Sequence, residues 1–78
     1  MNWWIMKTNL SIEIGNNLKQ LRNSAKFTQK DVADALFMTQ QQYSRFETGV
    51  YELNYEQITK LCKLFDCTPN EIYGIYEK

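Results

Sequence analysis

Apolar residues along the chain recur at three- and four-residue steps, and polar signals break the runs at regular places. Ile14, Leu18, Leu21 and Ala25 share one face of a first helix that is expected to end near "NSAKF". Thr28 then offers an N-cap, Asp31 sits where a helix dipole favours an acid, and Val32, Ala33, Leu36 and Phe37 mark the buried side of a short second helix. Thr39 and Gln42 have the T-x-x-Q spacing of a capping box, while Met38 and Tyr43 are spaced as a hydrophobic staple. Gly49 stops this third helix. Asn54 and Gln57 repeat the box ahead of a fourth helix carrying Ile58, Leu61, Cys62, Leu64 and Phe65. Thr68 followed by Pro69 opens a fifth, expected to continue through "NEIYGIYEK". No sustained two-residue alternation, repeat or linker interrupts the pattern, so the fold class is all-α.

The link between the second and third helices, "FMT", is about three residues long. So short a connection makes the two helices cross at a wide angle and leaves one face of the third outside the core. At 100° per residue Tyr43 and Phe46 turn inward, Gln41, Ser44 and Arg45 lie opposite, and Gln40 stands at the exposed tip. A glutamine amide both donates and accepts, which matches the N6 and N7 edge of adenine, and an arginine forks onto O6 and N7 of guanine. This row is suited to reading bases in a major groove.

Composition narrows the alternatives. With 78 residues and 44% apolar content, the chain makes one small core. Net charge is zero, but residues 1–45 carry +3 and residues 46–78 carry −3. Cys62 and Cys67 are too few for a disulfide scaffold, and without histidine they complete no four-ligand zinc site, so no metal or other cofactor is expected. No glycine-rich phosphate loop and no nucleophile beside a base is present, which disfavours an enzyme; nothing marks a small-molecule ligand. The opening "NWWIM" is apolar, yet too short and too poorly flanked for a signal or a membrane span, and a cytoplasmic protein is the default. We divide the chain into an N-terminal extension, 1–11, and a helix-turn-helix domain, 12–78.

Four stretches in order, "IGNNLKQLR", "TQKDVADAL", "TQQQYSRFETG" and "LCKLFDCTPNEIY", resemble the Xre-type helix-turn-helix regulators that include phage repressors and Cro proteins. The resemblance covers about Ile14 to Tyr73. It implies a five-helix, lambda-repressor-like domain that binds double-stranded DNA as a homodimer, with Gln40, Gln41, Ser44 and Arg45 facing bases. It also implies phosphate contacts from Gln29 at the start of the second helix. Thr28, Thr39, Gln42, Lys26 and Lys30 complete that phosphate set, and Arg22 pairs with Glu47 inside the fold. The chain departs from the pattern at Phe37, where the turn usually has glycine, and in "VYELN", where basic residues often meet the DNA backbone. The dimer contact is expected from Ile72, Tyr73, Ile75 and Tyr76, with Trp3 and Trp4 contributing. The function expected is transcriptional regulation, by repression; the alternative is a protein-interaction module such as the antitoxin of a toxin pair.

Overall fold

Each helix of the chain starts where a side chain can satisfy its orphan N–H groups. A computed structural model describes residues 9–75 and contains α1 (Asn9–Ser24), α2 (Gln29–Ala35), α3 (Gln40–Glu47), α4 (Tyr55–Phe65) and α5 (Pro69–Tyr73). Capping boxes open α2, α3, α4 and α5, on Thr28, Thr39, Asn54 and Thr68. The boxes at Thr28 and Thr68 are closed by Asp31 and Glu71, so acids stand where Gln42 and Gln57 serve the other two. α1 begins at Asn9, earlier than the run from Ile14 suggests; Leu10, four residues before Ile14, extends the same apolar face into the first turn. α5 ends at Tyr73 instead of running to the C-terminus: Gly74 adopts φ 75, and its N–H closes on the Asn70 carbonyl. That left-handed cap ends the helix.

α1 packs against α3 and α5, and α2 against α3. The core between them holds Leu18, Val32, Leu36, Tyr43, Phe46, Ile58, Leu61, Phe65 and Ile72, with Ala33 filling a tight place. Two expectations are corrected here. Phe37 is 86% exposed instead of on the buried side of α2; the chain leaves the helix at Leu36, and Phe37 takes φ 57 in the turn. Its ring finds a surface partner in the Lys60 ammonium, 5.0 Å away. Ile72 is 0% exposed in the core of its own chain, so it has no surface to offer a second copy.

Gly15 explains how closely α1 approaches α3. A Cβ there would stand 2.7 Å from the Phe46 carbonyl oxygen, closer than real Cβ contacts come, and would also press on Glu47. Glycine in a helix costs ~1 kcal/mol relative to alanine, and here that cost allows the backbones to touch. Asn17 ties α1 to the other end of the fold by donating to the Ile72 carbonyl at 3.0 Å. Among the described residues no helix is long and apolar enough to cross a membrane, and no cluster of metal-ligating side chains is present.

Candidate nucleic-acid interface

The third helix is anchored from within by an ion pair that also reaches its outer face. Arg22 of α1 donates through Nε to Glu47 Oε2 at 2.7 Å and through Nη2 to Oε1 at 3.2 Å, while Nη1 closes on the Phe27 carbonyl at 3.0 Å. The two side chains are only 10% and 3% exposed. The Glu47 hydrogen bond, set against burial, raises Arg22 above its usual value. Burial on its own would raise Glu47, yet the hydrogen bonds from Arg22 and Gln29 outweigh it and hold the carboxyl below its ordinary value. Tyr43 lies beside the pair, and burial followed by the Glu47 carboxylate pushes its phenol up, so it stays neutral.

From Glu47 the polar line continues outward. Gln29, the first residue of α2, donates Nε2 to Glu47 Oε1 at 3.0 Å, and its Oε1 accepts from Gln40 Nε2 at 3.5 Å. Gln29 is therefore held from both ends, with one amide hydrogen left over. Gln40, Gln41 and Arg45 are exposed, as their spacing predicts. Ser44 is only half-buried and donates its hydroxyl to the Gln41 carbonyl at 2.9 Å, so it is less available than the others.

The residues expected at phosphates lie around the two helix starts. Thr28 Oγ1 accepts from the Asp31 N–H and Thr39 Oγ1 from the Gln42 N–H, both at 3.1 Å. Each hydroxyl keeps its proton to donate, and Gln42, whose Oε1 caps the Thr39 N–H, keeps its amide hydrogens. Lys30 is exposed and pairs with Asp34 at 3.3 Å; Lys26 is exposed just past α1, at φ 64. Asp31 introduces a negative charge at the α2 start. The Thr28 backbone hydrogen bond, then the Thr28 hydroxyl, lower its pKa, so it stays ionised.

Tyr51 belongs to this surface and its role was not read from the sequence. Gly49, at φ 84, reverses the chain so that Val50 and Tyr51 both donate to the Arg45 carbonyl, at 2.9 and 3.2 Å. The Tyr51 ring meets Phe46 edge-on at 5.7 Å, and its hydroxyl accepts from Arg45 Nη1 at 3.1 Å. The only signal in the sequence was the glycine stop. The arrangement offers amides and a guanidinium on one exposed face, with Gln40 tied through Gln29 to the core pair and Arg45 to Tyr51. Of the residues expected in a dimer contact, Tyr73 is half-buried and Ile75 is 61% exposed at the end of α5, while Trp3, Trp4 and Tyr76 lie outside the described residues.

Residues 18–72 match the family profile described as "Helix-turn-helix". A search of curated proteins with this sequence found no match. Among solved structures, the chain resembles the clp gene regulator ClgR from C. glutamicum at 20% identity, TM-score 0.73, over 85% of this chain and 86% of that one. The restriction-modification controller protein C.AhdI from Aeromonas hydrophila is similar at 22% identity and TM-score 0.71, over 80% and 94%. The P22 c2 repressor, solved in complex with a synthetic operator, is similar at 21% identity and TM-score 0.72, over 81% and 96%. These likenesses establish the five-helix, lambda-repressor-like fold.

Proposed function

The chain belongs to the Xre-type helix-turn-helix family of DNA-binding transcription regulators and is not an enzyme, and we propose that it is a repressor, reading the major groove of its operator with α3. The observation that carries this reading is the exposed row Gln40, Gln41 and Arg45, in which Gln40 is tied through Gln29 to the buried Arg22–Glu47 pair and Arg45 is tied to the Tyr51 hydroxyl. Side chains fixed from behind lose less freedom on binding, and amide and guanidinium groups match adenine and guanine edges. Repression is supported by the name of one structural neighbour, the P22 c2 repressor, which was solved on an operator.

Phosphate contacts come from the Gln29 amide, the Thr28 and Thr39 hydroxyls, Gln42, and the lysines Lys26 and Lys30. Asp31 and Glu52 work against them, so binding is modest in strength with a shallow salt dependence. One α3 reads too few base pairs to single out a site, which calls for two copies on two half-sites. The surface we assign to that homodimer is the outer face at the end of α5, with Tyr73 and Ile75. Its ligand, chromosomal DNA, puts its place of work in the cytoplasm.

Selection from random DNA followed by titration of Arg45→Ala and Gln41→Ala on the selected site is the experiment. Each variant should relax preference at one base position and leave non-specific binding unchanged. Full affinity and selectivity in both variants would remove α3 as the reader. Sedimentation of an Ile75→Glu variant tests the dimer: it should be monomeric at concentrations where the unaltered protein is not.

A further inference from the structure

Behind the loop that follows α3 lies a cavity of about 200 Å³. Leu10 and Ile14 of α1, with Leu53 and Ile58, form its aliphatic walls, and Phe46 and Tyr51 supply aromatic ones. An apolar cavity of ~150 Å³ is enough to bind benzene, so this one has room for a fused two-ring aromatic. Glu52 is the one charged residue in its lining, and no lysine or arginine among the described residues pairs with it. A flat apolar body with a positive charge at one end complements both features.

We propose that this cavity binds a small cationic aromatic amine, and that occupancy is transmitted to the DNA-reading face through Tyr51. The sequence marks no small-molecule ligand, because the cavity forms only where α1, the end of α3 and the loop after it pack together. Tyr51 is at once a wall of the cavity, the edge-on neighbour of Phe46, and the acceptor for Arg45 Nη1. With Nη1 engaged there, the Nε and Nη2 edge of Arg45 stays free to fork onto guanine. A ligand packed on the Tyr51 ring confines it, and with it Arg45, in that arrangement. Bound amine therefore tightens specific DNA binding and leaves non-specific binding alone. This coupling rests on the reading of Arg45 as a base contact; the binding site does not.

The test begins without DNA. Tryptamine is titrated into the full chain and followed by amide chemical shifts and calorimetry, with neutral indole as the comparison. Saturable shifts at the cavity lining are expected. Glu52→Gln, at an exposed position, should weaken tryptamine about tenfold, equivalent to ~1.4 kcal/mol, and leave indole unchanged. Leu10→Trp, at the rim, should abolish both. On the selected operator, saturating tryptamine should tighten binding by about fivefold, within the usual range of coupling between sites. Tyr51→Phe, which keeps the ring wall, should still bind tryptamine but show the same DNA affinity with and without it.

The proposed site is overturned if no saturable shift occurs, if the shifts fall elsewhere, or if Glu52→Gln has no effect. It is overturned equally if binding appears only after residues 1–8 are deleted, since the chain's own tryptophans would then be the competitor. An equal DNA response in Tyr51→Phe, or on non-specific DNA, defeats the coupling. Full operator selectivity in Arg45→Ala is a different failure, that of the DNA-reading assignment, and the DNA-free titration is unaffected by it.

Discussion

Two arginines in this small domain do opposite things with the same group. Arg22 spends its guanidinium inside the fold, on both oxygens of Glu47 and on the Phe27 carbonyl, and is almost closed to solvent. Arg45 stands on the outer face of α3 and commits one N–H to Tyr51, leaving the others to water or to a partner. The difference lies in burial and in the partner. A buried carboxylate makes a guanidinium part of the scaffold, since either ion alone would be stranded. An exposed phenol only orients it, at little energetic consequence. The scaffold arginine is nevertheless linked to the outer face of α3, because Glu47 also holds Gln29, and Gln29 holds Gln40.

The sharpest way to break this contrast is at Glu47. Glu47→Ala strands the Arg22 charge and should cost ~3–5 kcal/mol, a large fraction of what so small a domain has. Urea denaturation measures it; a melting shift of a degree or two would place the pair in solvent and erase the distinction. The same carboxylate sets the acid limb. Its folded pKa lies below the unfolded value, so its stabilisation is complete above the unfolded value and is lost as pH falls through the folded one. In Glu47→Gln that loss should be absent, which a pH series of melting temperatures reads directly. Gly15→Ala comes next. It forces α1 away from α3 and with it Arg22 from Glu47, at ~1–3 kcal/mol of overpacking beyond any gain in helix propensity, again measured by denaturation.

At the other arginine the loss should appear in binding. Arg45→Ala is expected to cost ~1–3 kcal/mol on a specific DNA site, while its stability stays within ~0.5 kcal/mol of the unaltered protein. A large stability loss would make Arg45 a scaffold residue too. The smallest effect belongs to the exposed Lys30–Asp34 pair on α2. Asp34→Ala should change stability by no more than ~0.5 kcal/mol. By freeing Lys30 it should also steepen the salt dependence of DNA binding, which titrations at several salt concentrations would detect.

Most of the elements were legible because their signals are local. A capping box is closed within four residues, so Thr39 with Gln42 and Asn54 with Gln57 announce their helices without reference to the rest of the chain. The outward row Gln40, Gln41 and Arg45 followed from helix periodicity once Tyr43 and Phe46 were turned inward. Ser44 shows the limit of that reasoning: helical angle puts it outside, while a bond to the Gln41 carbonyl keeps it close to the helix. Phe37 failed for a related reason, since apolar identity says nothing about where a helix stops.

By itself, then, the sequence determined the number and order of the helices, their caps, and the chemistry presented by the start of α3. These depend on neighbours within a turn or two, where spacing is a sufficient guide. Only the tertiary structure decided that Gly15 lets α1 touch α3, that Ile72 belongs to the core, that Gln29 bridges Glu47 and Gln40, and that Tyr51 joins Arg45 to a cavity. Each of these but the last brings together residues far apart in the chain. Tyr51 follows Arg45 closely, yet which side chains meet there depends on a reversal at Gly49 and on where Phe46 and α1 have packed, and no spacing along the chain encodes that.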